Sequence, residues 1–118
     1  MKTIMLVDDS TSIRNILKNA LVGEYTISEA ENGLKALDKS KTETVDLFLL
    51  DVNMPEMDGL TLLAEIRKLP QYATTPILML TTETKDELKQ RGRELGASGW
   101  IVKPCDPDRL LAAINKLI

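Results

Sequence analysis

Histidine is absent from this chain of 118 residues, and cysteine occurs once, as Cys105. Without histidine, the chain lacks the commonest general base, the commonest metal ligand and any means of forming a phosphohistidine of its own. A lone cysteine cannot form an internal disulfide, which is compatible with a reducing compartment. The chemistry of the protein must therefore depend on other side chains.

Aromatic residues, blocks of positive charge and long apolar runs are also scarce. The chain has one Trp, one Phe and two Tyr, and its formal net charge is -3. Nothing in this composition indicates binding to nucleic acid or to an anionic membrane. The apolar run before Asp8 is only four residues long, too short for a signal peptide or a membrane span. We therefore expect a cytoplasmic protein with neither kind of partner.

Short apolar segments recur at four points along the chain and are typical of strands buried on both faces of a parallel sheet. A further segment, residues 25–29, alternates in polarity, which indicates a less buried strand at an edge. Apolar stripes with helical spacing lie between these segments and after the last one. The four apolar segments are residues 4–7, 47–50, 77–80 and 100–102.

Strand followed by helix, repeated five times, predicts a single α/β domain over residues 1–118. Right-handed crossovers leave few topologies, and we predict a (βα)5 flavodoxin-like three-layer sandwich with a parallel sheet in the order 2-1-3-4-5. In that order the second strand lies at an edge, as its alternating pattern requires. The crevice between strands one and three is the switch point at which ligands usually bind.

Local signals predict several helix boundaries. Thr84 to Glu87 has the spacing of a capping box, and Asp106 before Pro107 is typical of a helix start. Gly96 directly follows Leu95 and is a plausible end for the fourth helix.

Three aspartates lie at the predicted switch point. Asp8 and Asp9 follow the first strand and Asp51 follows the third. A single aspartate here would be interpreted more simply as part of a helix cap, because either Asp9 or Ser10 could cap the first helix. Three carboxylates at one sheet edge repel each other, and a hard divalent cation relieves that repulsion. We predict a Mg²⁺ site, with Mn²⁺ as an alternative.

Four segments in the same order and spacing make the chain resemble the receiver domain of two-component response regulators, specifically the single-domain, chemotaxis-type members. The resemblance covers nearly the whole chain. The segments are Val7-Asp8-Asp9-Ser10, Leu50-Asp51-Val52-Asn53-Met54-Pro55 with Asp58-Gly59, Thr81-Thr82-Glu83, and Val102-Lys103-Pro104.

The resemblance implies a role for each of these positions. Asp51 would accept the phosphoryl group, while Lys103, the Thr81 hydroxyl and the Thr82 backbone N–H would contact phosphoryl oxygens. The implied metal ligands are Asp9, Asp51 and the backbone carbonyl of Asn53, with Asp8 acting through water or from just outside the coordination sphere. From position alone, Thr81 and Thr82 compete, and the family register selects Thr81.

Trp100 departs from the family pattern, which usually has Tyr or Phe three residues before the lysine. We assign Trp100 to the switch surface, although a partly exposed aromatic residue without that role is nearly as plausible. Asn53 and Glu83 occupy the positions that tune the lifetime of the phosphoryl group in the family. Gly92 interrupts the fourth helix, which indicates either a weakly held helix or close packing at that point.

The implied function is a stand-alone response regulator whose partners are a sensor histidine kinase and a protein target such as the flagellar motor switch. Such a receiver catalyses only its own phosphorylation and dephosphorylation and is not an enzyme acting on a separate metabolite. The alternatives are a phosphorelay intermediate, a scaffold that works without phosphorylation, and a Mg²⁺-dependent phosphatase with an aspartyl nucleophile. The phosphatase is disfavoured because Asn53 stands where such enzymes need a second aspartate.

Overall fold

The computed structural model describes residues 1–118 and contains five strands that alternate with five helices. All strand pairs are parallel, and the sheet order is β2-β1-β3-β4-β5, as predicted. The strands are β1 (Thr3–Val7), β2 (Thr26–Ala30), β3 (Leu47–Leu50), β4 (Ile77–Thr81) and β5 (Gly99–Val102). The helices are α1 (Thr11–Leu21), α2 (Gly33–Thr42), α3 (Gly59–Arg67), α4 (Asp86–Glu94) and α5 (Pro107–Leu117), with a 3-10 turn at Pro70–Tyr72.

Two apolar cores lie on opposite faces of the sheet, which makes the fold a three-layer sandwich. One face packs against α1 and α5 through Leu21, Leu110 and Ile114. The other face packs against α2 and α3 through residues such as Ala36 and Leu62. The central strands β1, β3 and β4 are almost completely buried, whereas the edge strands β2 and β5 are half-buried. The prediction that residues 100–102 are buried on both faces was therefore wrong, because β5 lies at an edge of the sheet. No helix has the combination of length and apolar character that spanning a bilayer requires.

The strand register brings the carboxyl ends of the strands to one edge. Val7 pairs with Leu50, and Leu50 pairs with Met79. The residues that follow β1 and β3 therefore lie side by side, as expected for neighbouring parallel strands.

The predicted helix boundaries were correct at three places and wrong at one. Ser10 caps α1 by accepting from the Ile13 N–H, and Asp106 caps α5. Gly96 follows α4 with a φ of 102°, a conformation that glycine adopts at little cost.

The capping box at Thr84 was wrong. Helix α4 begins at Asp86 after Lys85, and no side chain caps it. Asp86 and Glu87 in its first turn instead offer negative charge to the exposed N–H groups. Ile16 of α1 is 56% exposed although it is apolar, because Leu17 and Leu21 are the residues of this helix that face the sheet.

Candidate functional site

The three predicted aspartates form one cluster at the carboxyl edge of the sheet. Asp8, Asp9 and Asp51 each offer a carboxylate oxygen, and these oxygens all lie within 4.8 Å of one another. Asp8 and Asp51 are only 4% and 8% exposed, whereas Asp9 is open to solvent. The cluster thus combines two nearly buried acids with one accessible acid.

Lys103 reaches this cluster from the end of β5. Its ammonium lies 2.6 Å from Asp8 Oδ2 and 3.5 Å from Asp51 Oδ2. The Lys103 side chain is 15% exposed, so it is not the solvated lysine that an isolated surface position would give. The Lys103–Pro104 peptide is cis. One cation therefore bridges two acids of the cluster.

The environment of Asp51 disfavours a bare negative charge. Burial raises the pKa of its carboxyl group above the ordinary value, and the charge of Asp8 adds to this effect. The ammonium of Lys103 opposes both by lowering the pKa. The net effect is a raised pKa, which means that Lys103 alone does not fully compensate the negative charge of an ionised Asp51.

The donor set of the cluster fits a small hard cation. Mg²⁺ binds oxygen ligands, usually one or two carboxylates with water completing the octahedron, and the exposed side of this cluster is open to water. Asp9 and Asp51 can supply the carboxylates. The backbone N–H of Asn53 lies 3.4 Å from Asp51 Oδ1, so residue 53 adjoins the cluster.

Thr81 and Thr82 occupy very different environments. Thr81 is fully buried as the last residue of β4, and its hydroxyl accepts from the Glu83 N–H at 3.3 Å. Thr82 follows the strand and is exposed. The structure thus buries the Thr81 side chain at the carboxyl end of β4 and leaves Thr82 at the surface.

Glu83 connects this region to Asn53 and Trp100. Its carboxylate accepts from Asn53 Nδ2 at 3.0 Å, and its backbone carbonyl accepts from the Trp100 indole N–H at 2.9 Å. Together with the bond to Thr81, these contacts make one residue the meeting point of three predicted site positions. Hydrogen bonds thus connect the Thr81 hydroxyl to the Trp100 indole through the backbone of Glu83.

Gly92 is buried against the ring of Trp100. A Cβ atom on Gly92 would lie 3.0 Å from Cζ3 and 3.2 Å from Cε3 of the indole. Of the two alternatives that the sequence left open at Gly92, the structure shows close packing. Glycine at this point lets the indole lie on the backbone of α4.

Gly59, which follows Asp58 at the start of α3, supports the site through a contact that the sequence pattern does not reveal. A Cβ atom on Gly59 would lie 2.0 Å from the carbonyl oxygen of Asp51, and the Gly59 N–H donates to the carbonyl of Val52 at 2.9 Å. The first turn of α3 therefore packs directly against the backbone of Asp51, the candidate phosphoacceptor. Only the three-dimensional packing reveals this constraint.

We expect Gly59→Ala to destabilise the protein by roughly 3 kcal/mol, because the clash is with backbone atoms that cannot rotate away. Gly99→Ala is a matched control, since its Cβ would meet only the end of a flexible side chain, Cδ2 of Leu78. Urea unfolding of the two variants measures the difference. Equal free energies of unfolding for the two variants would contradict the proposed constraint.

Comparison with known proteins gives a consistent result. Residues 4–115 match the family model described as the response regulator receiver domain. The chain is 39% identical to the chemotaxis protein CheY of Bacillus subtilis, with 98% of this chain and 96% of that protein covered. It is 38% identical to the transcriptional regulatory protein ResD of the same organism, of which it covers 47%. The structure of the Vibrio cholerae chemotaxis protein CheY4 superposes with a TM-score of 0.95 at 42% identity, covering 100% of this chain and 99% of that one.

Proposed function

Because the chain belongs to the response regulator receiver family and has a CheY-like fold, we propose that it is a stand-alone response regulator that takes a phosphoryl group on Asp51. The donor is the phosphohistidine of a sensor histidine kinase, of the chemotaxis type by similarity to the relatives named above. The observation that carries the proposal is the position of Asp51, nearly buried beside two further acids and one ammonium.

The proposed step forms one bond and breaks one. A carboxylate oxygen of Asp51 bonds to phosphorus, the phosphorus–nitrogen bond of the donor breaks, and the electron pair stays on the histidine nitrogen. Asp9 and Asp51, with the backbone carbonyl of Asn53, would hold Mg²⁺ or Mn²⁺, which would supply positive charge to the phosphoryl oxygens. Lys103 supplies a second positive charge, while the Thr81 hydroxyl and the Thr82 N–H donate hydrogen bonds.

The buried position of Asp51 supports this role in two ways. Its carboxylate is an acceptor-only group held among hydrogen-bond donors, so it is oriented before a donor arrives. The surrounding burial also limits the water that competes with it as a nucleophile. The direct test is incubation with acetyl phosphate and Mg²⁺, with the Asp51→Asn variant as the comparison.

The signal proposed for the phosphorylated state passes from Thr81 through Glu83 to Trp100. A new hydrogen bond from the Thr81 hydroxyl to a phosphoryl oxygen draws that hydroxyl away from the Glu83 N–H. The loop that carries the Glu83 carbonyl then shifts, and the indole bonded to it moves on the surface of α4 and β5. A protein that binds only the altered surface, such as a flagellar motor switch protein, would be the target.

We expect the fluorescence of Trp100 to change when Mg²⁺ and beryllofluoride, a phosphoryl mimic, are added together. Trp100 is the only tryptophan, so the signal comes from this residue alone. Its indole N–H is hydrogen-bonded and its ring is half-buried, and both conditions affect emission. Asp51→Asn should show no change under the same conditions. An unchanged wild-type spectrum, with mimic binding verified by calorimetry, would remove Trp100 from the switch.

We also propose that Asn53 and Glu83 shorten the lifetime of the phosphoryl group. Their side chains are joined by a hydrogen bond beside Asp51 and offer polar atoms that can hold an attacking water. We expect the phosphoryl group to decay within minutes, and Glu83→Leu to slow the decay severalfold. Loss of phosphoprotein after removal of acetyl phosphate measures the rate, and Glu31→Leu, on the exposed surface, is the control. A wild-type lifetime of hours would contradict this role.

The other candidate functions have less support. A phosphorelay intermediate would use the same chemistry at Asp51 and differs only in its downstream partner. The phosphatase alternative lacks an acid at position 53, where the Asn53 amide donates to Glu83 instead. A cytoplasmic location remains part of the proposal, because the donor kinase domain and the target are expected there.

A further inference from the structure

Asp9 is the least restrained member of the acidic cluster. Asp8 accepts from the Ser10 N–H at 2.9 Å and from Lys103 at 2.6 Å, and Asp51 accepts from the Asn53 N–H. The carboxylate of Asp9 is exposed and has no such partner. Its direction is therefore fixed only through the backbone that carries it.

That backbone is held by Arg14, which lies in the first turns of α1. Arg14 Nη1 donates to the carbonyl oxygen of Asp8 at 2.5 Å, so it bonds to the peptide unit that joins Asp8 to Asp9. On the other side of the same residue, the Asp8 N–H donates to the carbonyl of Ala30 at 3.3 Å. Hydrogen bonds at both the N–H and the carbonyl of Asp8 thus fix the turn after β1.

Arg14 is itself held in place. Its side chain is only 12% exposed, and its Nε lies 3.4 Å from Glu29 Oε1, close enough for an ion pair but not aligned as a hydrogen bond. Glu29 also accepts from Lys18 at 2.8 Å, and this bond is the main reason that the pKa of Glu29 is lowered. Glu29 therefore stays ionised at neutral pH. The nearly buried guanidinium of Arg14 therefore lies between Glu29 of the edge strand β2 and the turn that carries Asp8 and Asp9.

We propose that Arg14 is a positioning residue of the divalent-cation site, which holds the Asp8–Asp9 peptide so that Asp9 faces Asp51. This inference rests on the proposed function, because it takes the acidic cluster to be a Mg²⁺ site. Arg14 does not touch the cation or the phosphoryl group and acts only through the peptide carbonyl.

Charge and geometry make opposite predictions for Arg14, which makes the proposal testable. A positive charge beside an acidic cluster repels Mg²⁺, so by charge alone removal of Arg14 should tighten Mg²⁺ binding. If Arg14 positions Asp9, its removal should weaken binding, because the ligand loses its orientation. Residues that orient metal ligands typically contribute about 10-fold to 100-fold in affinity.

The experiment is titration calorimetry of Mg²⁺ into the unphosphorylated protein, comparing wild type, Arg14→Met, Arg14→Lys and Lys18→Met. We expect Arg14→Met to bind Mg²⁺ about 10-fold more weakly. Lys18→Met is the matched control, since Lys18 has the same charge, lies on the same helix and bonds the same glutamate without touching Asp8. It should bind Mg²⁺ within about twofold of wild type or more tightly, as charge predicts.

Arg14→Lys keeps the charge, but a single ammonium cannot span both the Asp8 carbonyl and Glu29 as the planar guanidinium does. We expect its affinity to fall between those of wild type and Arg14→Met. Urea unfolding without metal shows which variants are folded. If Arg14→Met is unfolded, Arg14→Lys decides the question by the same criterion: weaker binding supports the proposal, and wild-type or tighter binding overturns it.

A second measurement separates positioning from general damage to the site. With saturating Mg²⁺, the rate of phosphorylation of Arg14→Met by acetyl phosphate should approach that of wild type, while the Mg²⁺ concentration for half-maximal rate rises. A rate that stays low at saturating Mg²⁺ would overturn the positioning role. If wild type neither binds Mg²⁺ nor forms an Asp51 adduct, the proposed function itself fails. If wild type does both and Arg14→Met binds Mg²⁺ normally, only the role of Arg14 fails.

Discussion

Asp51→Asn should abolish phosphorylation of this protein by acetyl phosphate. The amide cannot act as the nucleophile, and no other carboxylate in the cluster has the same combination of burial and contact with Lys103 and Asn53. Intact-protein mass spectrometry in the presence of Mg²⁺ should show a phosphoryl adduct on wild type and none on the variant. Peptide mapping should place the adduct on Asp51.

Asp58→Asn is the matched control for this experiment. Asp58 lies in the same loop, but its side chain caps α3 by accepting from the Thr61 N–H, and asparagine caps helices equally well. The control should be phosphorylated like wild type. An adduct that persists in Asp51→Asn with undiminished yield would rule out Asp51 as the acceptor.

The loss of phosphorylation in Asp51→Asn should not come from unfolding. Because burial raises the pKa of Asp51 in the folded state, its ionised form is less favourable there than in the unfolded chain. Above that pKa, the charge lowers stability, and the neutral amide removes this effect. In a chelating buffer, we therefore expect Asp51→Asn to be at least as resistant to urea as wild type. A marked loss of stability would point instead to a structural role for the carboxylate.

Lys103→Met should damage both stability and phosphorylation. The substitution removes the ammonium that bridges Asp8 and Asp51, and so leaves two nearly buried carboxylates without a cation. Removing one partner from such a group costs roughly 3 kcal/mol, and Mg²⁺ should restore part of that loss by supplying positive charge. Urea unfolding with and without Mg²⁺ measures both effects.

The phosphorylation rate of Lys103→Met should fall about 100-fold even with saturating Mg²⁺, since a fixed charge on the phosphoryl oxygens is lost. Lys68→Met is the control: it removes a lysine whose side chain is 69% exposed and whose only ion pair is with Glu65 on the surface. It should leave stability and rate nearly unchanged. A similar effect in both variants would show that net charge, rather than the position of Lys103, matters.

The fold was predictable because its signals are repeated along the chain. Each buried strand is a short apolar segment, and each is followed by a helical stripe, so an error in one element would not have changed the topology. The acidic cluster was predictable for the same reason: Asp8 and Asp51 directly follow strands that the topology places side by side. The position of Asp51 is thus a consequence of strand order.

The remaining features depend on the exact geometry with which a helix leaves its preceding loop. The hydrogen bond from Arg14 to the Asp8 carbonyl joins α1 to the turn that precedes it, and no spacing rule predicts it. The close contact between Gly59 and the Asp51 carbonyl likewise comes from the way α3 packs against the loop that precedes it. At Thr84 a local motif was present, but α4 begins at Asp86 and the Thr84 side chain does not cap it, so the motif alone did not fix the boundary.

The contact between Gly92 and Trp100 has a consequence for exchanging parts between receivers. The indole occupies the space that a side chain at position 92 would need, so the two residues share a fixed volume. Grafting Trp100 alone into a receiver with a larger residue on that helix would force the ring into another place, and grafting Gly92 alone would leave a gap. The two positions should therefore be transplanted, or evolve, as a pair.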